Sequence, residues 1–163
     1  MSKTVSIVIG SDSDLELSKK CTDILASLSI DFSIKILSAH RTPDLLSEHV
    51  NECEAGETKI YIAFAGLAAH LAGALASKTI KPVIGVPVDA GPLNGMDALL
   101  STVQMPKGMP VATVAIGSSG SANAAYLAAQ ILSLNTEGLS KKLKKIREDN
   151  KQAIKEKNLK LEQ

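Results

Sequence analysis

Residues 32–44 of this chain read Phe32-Ser33-Ile34-Lys35-Ile36-Leu37-Ser38-Ala39-His40-Arg41-Thr42-Pro43-Asp44. The apolar run over residues 32–37 predicts a β-strand. Thr42 is a candidate helix cap, and proline at position 43 removes no hydrogen bond that a helix needs, so a helix is expected from Pro43 to about Ala55. A strand that passes into a helix through so short a turn is the building unit of a parallel α/β sheet.

The same unit recurs along most of the chain. Short apolar segments predict strands at residues 4–9, 32–37, 59–65, 82–88 and 111–116. Apolar residues at near-helical spacing predict helices over residues 15–28, 43–55, 68–78, 96–104 and 122–134. Five strands alternating with helices predict an α/β fold with a parallel, doubly wound sheet, for which the flavodoxin-like strand order 2-1-3-4-5 is preferred.

The composition changes after Asn135. A charged helix with an apolar stripe is expected over residues 137–157, and such a helix either presents a solvated face or packs on another subunit. We expect a catalytic α/β domain over residues 1–135 and a C-terminal helical extension over residues 136–163 that packs on a neighbouring subunit. The nearly uncharged segment 122–134 adds to the expectation of a homo-oligomer.

The overall composition excludes several classes of protein. A chain of 163 residues predicts one domain with a real core. The formal net charge is +1 and the only aromatic residues are two Phe and two Tyr, which argues against nucleic-acid, membrane and flavin partners. No signal-peptide pattern or membrane-length apolar run occurs, so a cytoplasmic protein is expected. Cys21 and Cys53 lack metal-ligand spacing and are expected to be buried free thiols.

Three polar loops follow the first three predicted strands, at residues 10–14, 38–42 and 65–73. With a strand order beginning 2-1-3, they meet at the carboxyl edge of the sheet, where open α/β sheets bind ligands. His40 and His70 can exchange protons near neutral pH, and Arg41 can grip a phosphate or carboxylate through two N–H groups. We therefore expect a catalytic cleft for a phosphorylated small molecule.

Ordinary structural roles stay open for several polar residues. Ser13 with Glu16 forms a capping-box pattern for the first helix. The segments 89–95 and 117–121 either complete the cleft or are simple turns. His49, which lies among acidic neighbours, is interpreted as a surface residue.

Seven ordered segments resemble the N5-carboxyaminoimidazole ribonucleotide mutase family, also called the phosphoribosylaminoimidazole carboxylase catalytic subunit family. They extend over nearly the whole chain to about Leu134, and together they are far more specific than the serine-rich loop alone. The matching segments are Gly10-Ser11-Asp12-Ser13-Asp14, Ser38-Ala39-His40-Arg41-Thr42-Pro43-Asp44, Ala68-Ala69-His70-Leu71, Pro82-Val83-Ile84-Gly85-Val86-Pro87-Val88, Ser101-Thr102-Val103-Gln104-Met105-Pro106, Pro110-Val111-Ala112-Thr113-Val114-Ala115-Ile116-Gly117 and Asn123-Ala124-Ala125.

The resemblance implies a three-layer sandwich around the parallel sheet, assembled as a homo-octamer. It implies transfer of a carboxyl group from the exocyclic nitrogen N5 to C4 of an aminoimidazole ribonucleotide, without metal, ATP or biotin. His40 then corresponds to the general acid/base, and His70 to a second histidine of the pocket. The residues that the resemblance assigns to substrate binding are Ser11, Ser13, Asp14, Ser38, Arg41, Gly66, Ala69 and Leu71.

Two positions depart from the family pattern. Leu67 stands where the glycine-rich loop usually has a second glycine, and Ala72 stands where it often has proline. Leu67 therefore adds a side chain close to the expected carboxylate pocket.

Two rival functions are weighed against this one. The related branch that carboxylates aminoimidazole ribonucleotide directly with carbon dioxide has a lysine after its histidine and lacks the Ala-Ala-His segment. A non-enzymatic receiver domain needs an aspartate closing the third strand and a lysine closing the fifth. This chain has Ala65 and Gly117 at those places.

Overall fold

A five-stranded, all-parallel sheet forms the centre of the computed structural model, which describes residues 3–161. Met1 and Ser2 of the expected amino terminus, and Glu162 and Gln163 of the expected extension, lie outside the described residues. The strands are β1 (Val5–Ile9), β2 (Phe32–Ile36), β3 (Ile60–Ala65), β4 (Val83–Pro87) and β5 (Ala112–Thr113). Their order in the sheet is β2-β1-β3-β4-β5, which confirms the predicted flavodoxin-like order.

Helices connect the strands and continue beyond the last one. A short 3-10 helix, Asp12–Asp14, precedes α1. The α-helices are α1 (Leu15–Ser27), α2 (Pro43–Glu54), α3 (Leu71–Ala76), α4 (Met96–Val103), α5 (Gly117–Ser133) and α6 (Glu137–Leu161). None of these described helices is long and apolar enough to cross a membrane.

The core lies around β1, β3 and β4, whose side chains are almost all buried. Strands covered on both faces carry continuous apolar runs of this kind. On one face of the sheet, Val8 and Ala63 belong to a buried cluster with Val50 of α2 and Leu75 of α3. Successive strand residues alternate between faces, so the buried Ile7 lies on the opposite side.

Helix α5 begins at Gly117, not near residue 122 as predicted. Its first residues are rich in glycine and serine, a composition typical of turns. Two contacts explain why they are helical here. A Cβ on Gly120 would overlap the carbonyl oxygen of Ala115, so the backbones approach as only glycine allows. Ser121 is buried and donates a 2.6 Å hydrogen bond from Oγ to the carbonyl oxygen of Leu17 in α1.

Two other elements are shorter than predicted. Strand β5 contains only Ala112 and Thr113, which pair with β4 at the edge of the sheet. Helix α3 begins at Leu71 instead of residue 68, because the preceding loop turns through a left-handed residue, Leu67 (φ 55°). The predicted helix therefore loses its first turn to the loop that follows β3.

The interpretation of His49 as a surface residue is wrong. Its side chain is buried, and its Nε2 lies 2.8 Å from the Oγ of Ser6 in β1. Burial lowers its pKa from the ordinary value of 6.5. His49 follows Leu46 by three residues and precedes Cys53 by four, so it belongs to the buried stripe of α2 despite the acidic residues around it.

Both cysteines are buried and unpaired, as predicted. Burial raises the pKa of the Cys21 thiol to about 12. A thiol in that state is a weak nucleophile, because the thiolate is the reactive form. Cys21 is therefore a structural residue.

The chain divides into two compact units, of which the first reaches to Ala128 and the second begins at Ala129. Within the second, α6 carries the surface ion pairs Lys141–Glu137 (2.7 Å) and Lys145–Asp149 (3.1 Å). These pairs lie one helical turn apart and stabilise the helix only slightly. The expected packing of this extension on a neighbouring subunit stays a prediction.

Candidate functional site

A cleft of about 480 Å³ lies at the carboxyl ends of β1, β2 and β3. The three polar loops expected to meet there all contribute to its wall, so the predicted gathering of these loops is confirmed. The wall contains the predicted residues Ser11, Ser13, Asp14, Ser38, His40, Arg41, Gly66, His70 and Leu71. Ala69 is not part of the wall, and its side chain is buried. The wall also contains Gly10, Ala39, Ala65, Leu67, Ala68 and Ala90.

Two histidine rings form the centre of the cleft. Nε2 of His40 lies 2.7 Å from Nδ1 of His70, and the ring centroids are 4.8 Å apart with planes inclined by 77°. A hydrogen bond between two imidazoles requires one ring to donate and the other to accept. The pair therefore holds a proton between its rings, and both rings are exposed to the cleft.

The turn that carries His40 is fixed by Ser38 and Thr42. Ser38 Oγ accepts a 3.1 Å bond from the backbone N–H of Arg41. Thr42 Oγ1 accepts from the N–H of Ser38 at 2.9 Å and donates to its carbonyl oxygen at 3.1 Å. Thr42 is the residue before α2, but its side chain makes no capping bond to the helix, so that prediction is wrong. Pro43 does occupy the first turn as expected.

Arg41 joins the second loop to the first. Its Nη2 donates a 3.0 Å hydrogen bond to the carbonyl oxygen of Gly10, at the end of β1. The guanidinium group has five N–H donors in a fixed plane, so this bond orients the group while leaving others for a ligand. Arg41 is exposed in the cleft wall.

The serine-rich loop is folded as a 3-10 turn. Ser11 caps it, since its Oγ accepts from the N–H of Ser13 at 3.4 Å. The predicted capping box of Ser13 with Glu16 is wrong: Asp14 precedes α1, and its side chain makes no capping bond. Ser13 Oγ instead donates to Asp14 Oδ1 at 3.2 Å.

Asp14 is the buried carboxyl group of this loop. Burial raises its pKa, whereas the hydrogen bond from Ser13 acts in the opposite direction. A carboxyl group next to two hydroxyl-bearing serines can accept hydrogen bonds from the hydroxyls of a sugar.

The third loop brings His70 to the cleft. Gly66 packs closely on the loop after β4, because a Cβ at this position would lie 3.0 Å from the Cβ of Ala90. The N–H of His70 donates to the carbonyl oxygen of Ala68 at 2.9 Å, and the carbonyl oxygen of His70 accepts from Ala74 at 2.8 Å. His70 therefore stands at the boundary between a tight turn and α3.

The later loops contribute unequally. Ala90 in segment 89–95 lines the cleft. Segment 117–121 begins α5, and its Ser118 accepts a 3.0 Å bond from Lys20 outside the cleft wall. Sequence reasoning missed Ala39, Ala68 and Ala90 because alanine carries no chemical signal. Their position directly after predicted strands was the only available indication.

A larger cleft, of about 790 Å³, lies near the start of β4. Its acidic residue, Glu54, is already bound to the hydroxyls of Tyr61 (3.0 Å) and Thr79 (2.7 Å) and to Lys81 (3.4 Å). No histidine lines it. The chemistry therefore points to the smaller cleft.

Within residues 3–161, no group of three or more histidine, cysteine or acidic side chains is placed to hold a metal ion. Paired imidazoles beside an arginine and serine hydroxyls instead suit acid–base chemistry on a small anion. A parallel sheet with a polar cleft at its carboxyl rim defines an α/β protein with a small-molecule site of the kind that open α/β sheets carry.

Comparison with known proteins places the chain more narrowly. The family model described as AIR carboxylase matches residues 4–153, so the chain belongs to this family. The N5-carboxyaminoimidazole ribonucleotide mutase of Bacillus subtilis is 51% identical over 94% of this chain and 95% of its own. The protein of the same name from Pyrococcus abyssi is 50% identical over 90% of this chain and 83% of its own. The crystal structure of Treponema denticola PurE superposes with a TM-score of 0.89 at 32% identity, covering 98% of both chains.

Proposed function

We propose that this chain is an isomerase of purine biosynthesis that converts N5-carboxyaminoimidazole ribonucleotide to 4-carboxyaminoimidazole ribonucleotide. Relatives about half identical over nearly the whole length carry this activity in their names. The observation that carries the proposal is the 2.7 Å contact between His40 and His70 at the rim cleft. Similarity identifies the reaction, and the histidine pair gives the cleft a group able to perform it.

The reaction requires one proton to be donated to the substrate and one proton to be removed from it. In the first step the bond between N5 and the carboxyl carbon breaks, carbon dioxide leaves, and the nitrogen takes a proton. In the second step C4 bonds to carbon dioxide and loses its own proton. A histidine that donates in the first step is ready to accept in the second, so the net proton count is zero.

We assign the donor and acceptor role to His40, with His70 as its partner. The hydrogen bond between the rings fixes the orientation of His40 and offers a place for the proton between the two steps. In triad-like sites a third group orients the base in the same way.

The phosphoribosyl part of the substrate is assigned to the first two loops. Arg41 and the hydroxyls of Ser11 and Ser13 are the anion-binding groups of the wall. The buried Asp14 accepts from ribose hydroxyls. Binding energy from this remote part of the substrate positions the imidazole ring against His40.

We also propose a homo-oligomer, in the form of an octamer, in which α6 packs on a neighbouring subunit. Several apolar side chains of α6 are exposed, including Ile154 at 60% and Leu159 at 61%. Burial of these side chains against another subunit explains why so charged a helix carries an apolar stripe. Light scattering should give eight chain masses for the full chain and a smaller mass after removal of residues 137–161.

The cytoplasm is the compartment that we propose. Cys21 and Cys53 are free thiols in the described structure, a state typical of reducing compartments. Cell fractionation with an antibody to the chain tests this assignment.

The deciding experiment is an assay of the purified chain with N5-carboxyaminoimidazole ribonucleotide in bicarbonate-free buffer. The proposal expects full conversion without ATP or added metal. The alternative is direct carboxylation of aminoimidazole ribonucleotide by carbon dioxide; the description of the family model is AIR carboxylase. Conversion of that second substrate only, and only when bicarbonate is added, would replace our proposal with the alternative.

A further inference from the structure

The turn between β2 and α2 carries His40 and Arg41 at its tip, and these two side chains reach different neighbouring loops. The ring of His40 lies 2.7 Å from the ring of His70, in the loop after β3. The guanidinium group of Arg41 donates a 3.0 Å hydrogen bond to the carbonyl oxygen of Gly10, at the end of β1. The backbone of this short turn therefore has to hold one conformation for both contacts to form together.

Backbone pairing between β1 and β2 stops just before this turn. The last N–H of the ladder is that of Leu37, which donates to the carbonyl oxygen of Ile9 at 2.9 Å. The next N–H, that of Ser38, donates instead to the Oγ1 of Thr42 at 2.9 Å. The Thr42 hydroxyl thus takes the place of a neighbouring strand for the first backbone group beyond the ladder.

Three hydrogen bonds close the turn between Ser38 and Thr42. Besides accepting from the Ser38 N–H, Thr42 Oγ1 donates to the carbonyl oxygen of Ser38 at 3.1 Å. The N–H of Thr42 donates to the same oxygen at 3.0 Å. A hydroxyl group can accept and donate at once, which a valine side chain of similar shape cannot do. The threonine side chain therefore supplies two of the three bonds that define the turn.

Thr42 itself is partly buried and is not one of the residues that line the cleft. Its carbonyl oxygen accepts from the N–H of Leu46 at 3.1 Å, so its backbone already belongs to the start of α2. Leu46 is buried in the core, which anchors this end of the helix. Thr42 therefore couples an anchored helix to the turn that presents His40.

We propose that Thr42 is a positioning residue, whose hydroxyl holds the turn closed and thereby keeps the His40 ring in place against His70 and the substrate. For its effect on turnover, the proposal rests on the proposed function. Thr42 acts through the geometry of His40 and touches neither the substrate nor a transferred proton. A misplacement of about 1 Å can lower a reaction rate by about 100-fold, so the loss of two bonds at this turn should be visible in kcat.

The two side chains at the tip should respond differently to the loss of this hydroxyl. Arg41 has anchors of its own, since its N–H donates to Ser38 Oγ at 3.1 Å and its Nη2 donates to Gly10. The His40 ring is held by a contact to a ring that is itself exposed. We therefore expect turnover to fall more than the affinity for the nucleotide.

The first test compares Thr42→Val with Thr42→Ser, and both variants should fold because Thr42 is only partly buried. Valine keeps the branched shape and removes both side-chain bonds, so kcat should fall about 10- to 100-fold while KM changes by less than about threefold. Serine keeps the hydroxyl and should recover most of the lost turnover.

Thr58→Val is the matched control for the loss of a threonine hydroxyl. Thr58 is buried just before β3, at the opposite edge of the sheet, and its Oγ1 donates to the carbonyl oxygen of Lys3 at 2.8 Å. This variant should lower the thermal midpoint and leave turnover per folded molecule unchanged. Equal losses of turnover per folded molecule in Thr42→Val and Thr58→Val would overturn the positioning role.

A double variant shows whether Thr42 acts through His40. In the His40→Asn background, Thr42→Val should lower turnover by less than about twofold more, because the group that it positions is already absent. The same fold-loss in both backgrounds would mean that Thr42 acts on another part of the site, and the positioning of His40 would be overturned.

The ring contact can also be measured without turnover, by NMR of the chain labelled with 15N at histidine. The ring nitrogen signals of His40 and His70 should shift in Thr42→Val and return towards the parent positions in Thr42→Ser, whereas those of the buried His49 should not move. Unchanged ring signals or parental kcat in Thr42→Val would overturn the positioning role and leave the proposed function intact. A parent that converts no substrate in bicarbonate-free buffer would overturn the proposed function, and the ring signals would still decide whether Thr42 holds His40.

Discussion

Two histidine environments in this protein differ in almost every physical respect. His40 and His70 are exposed at the carboxyl rim of the sheet and hydrogen-bond to each other. His49 is buried on the face of α2 that covers the sheet, and its partner is the hydroxyl of Ser6. The first pair is accessible to a small molecule in the cleft, whereas burial lowers the pKa of His49.

The contrast teaches how to separate a chemical histidine from a structural one. Burial and the partner group decide the role, and the immediate sequence neighbours do not. Glu48 and Glu52 next to His49 suggested a surface position, but the three- and four-residue spacing from Leu46 to Cys53 places its ring inward. His40 and His70 lie in loops after strands, where the sheet edge leaves side chains accessible.

The largest expected effect is on turnover, when a histidine of the exposed pair is replaced. His40→Asn should lower turnover by at least ~100-fold, the low end of general acid–base contributions, while nucleotide binding is retained. Steady-state assay together with calorimetric titration measures both. His49→Gln serves as the control, since it should leave turnover per folded molecule unchanged. Near-normal turnover in His40→Asn would remove His40 from the catalytic role.

The next effect concerns affinity. Arg41→Ala should weaken nucleotide binding by about 10- to 150-fold, since a hydrogen bond to a charged group contributes about 1.5–3 kcal/mol. Arg41→Lys should recover only part of this loss, because lysine lacks the planar pair of donors. Lys19→Ala removes an exposed charge of α1 as a control. Unchanged affinity by calorimetry in Arg41→Ala would contradict its assignment to the phosphate.

A third effect appears in stability as a function of pH. In the folded protein, burial and the charge of Lys35 lower the pKa of His49, while Glu52 acts the other way. The unfolded chain therefore binds more protons at this site, so the free energy of unfolding should fall as the pH drops below 6.5. His49→Gln cannot titrate and should flatten this dependence in urea titrations between about pH 5 and 7. An unchanged slope would show that other groups cause it.

The variant His49→Ala tests at neutral pH whether the buried ring stabilises the fold. It leaves the buried Ser6 hydroxyl without its partner and should cost about 1–3 kcal/mol of unfolding free energy. Glu48→Gln, on the exposed side of α2, should change the unfolding free energy by less than about 0.5 kcal/mol. Equal losses in the two variants would argue that the ring contributes nothing beyond its neighbours.

The smallest effect is expected at the cysteines. In the native protein, Cys21 should react with thiol reagents only as fast as the chain opens, because its pKa of about 12 leaves almost no thiolate. Ellman's reagent with and without denaturant measures this rate. Rapid native-state labelling of Cys21 would contradict its burial.

The sheet order and the loops that form the cleft were predictable from the sequence. Apolar runs identify the strands, and the polar residues that follow the first three strands indicate the edge of the sheet at which the cleft lies. Ser11, His40 and His70 lie in three separate segments of the sequence. The strand order alone brings these segments to one cleft.

Other features could not be predicted because they depend on contacts between distant residues. The helical start of α5 at Gly117 is accompanied by the Ser121–Leu17 bond, which joins residues 104 positions apart and which local composition does not reveal. The left-handed backbone of Leu67 has no signal in the local sequence, since leucine rarely adopts it. To predict the burial of His49, the helical spacing of the apolar residues has to count for more than the charge of its neighbours.

The most direct test of the account follows the hydrogen on C4 of the substrate. With the C4 position labelled by deuterium or tritium, one turnover of the enzyme should release the label to water at the rate of product formation. His40→Asn should bind the labelled nucleotide and release almost none. Release at the parent rate by that variant would show that another group removes the C4 proton, and the role assigned to the paired histidines would be wrong.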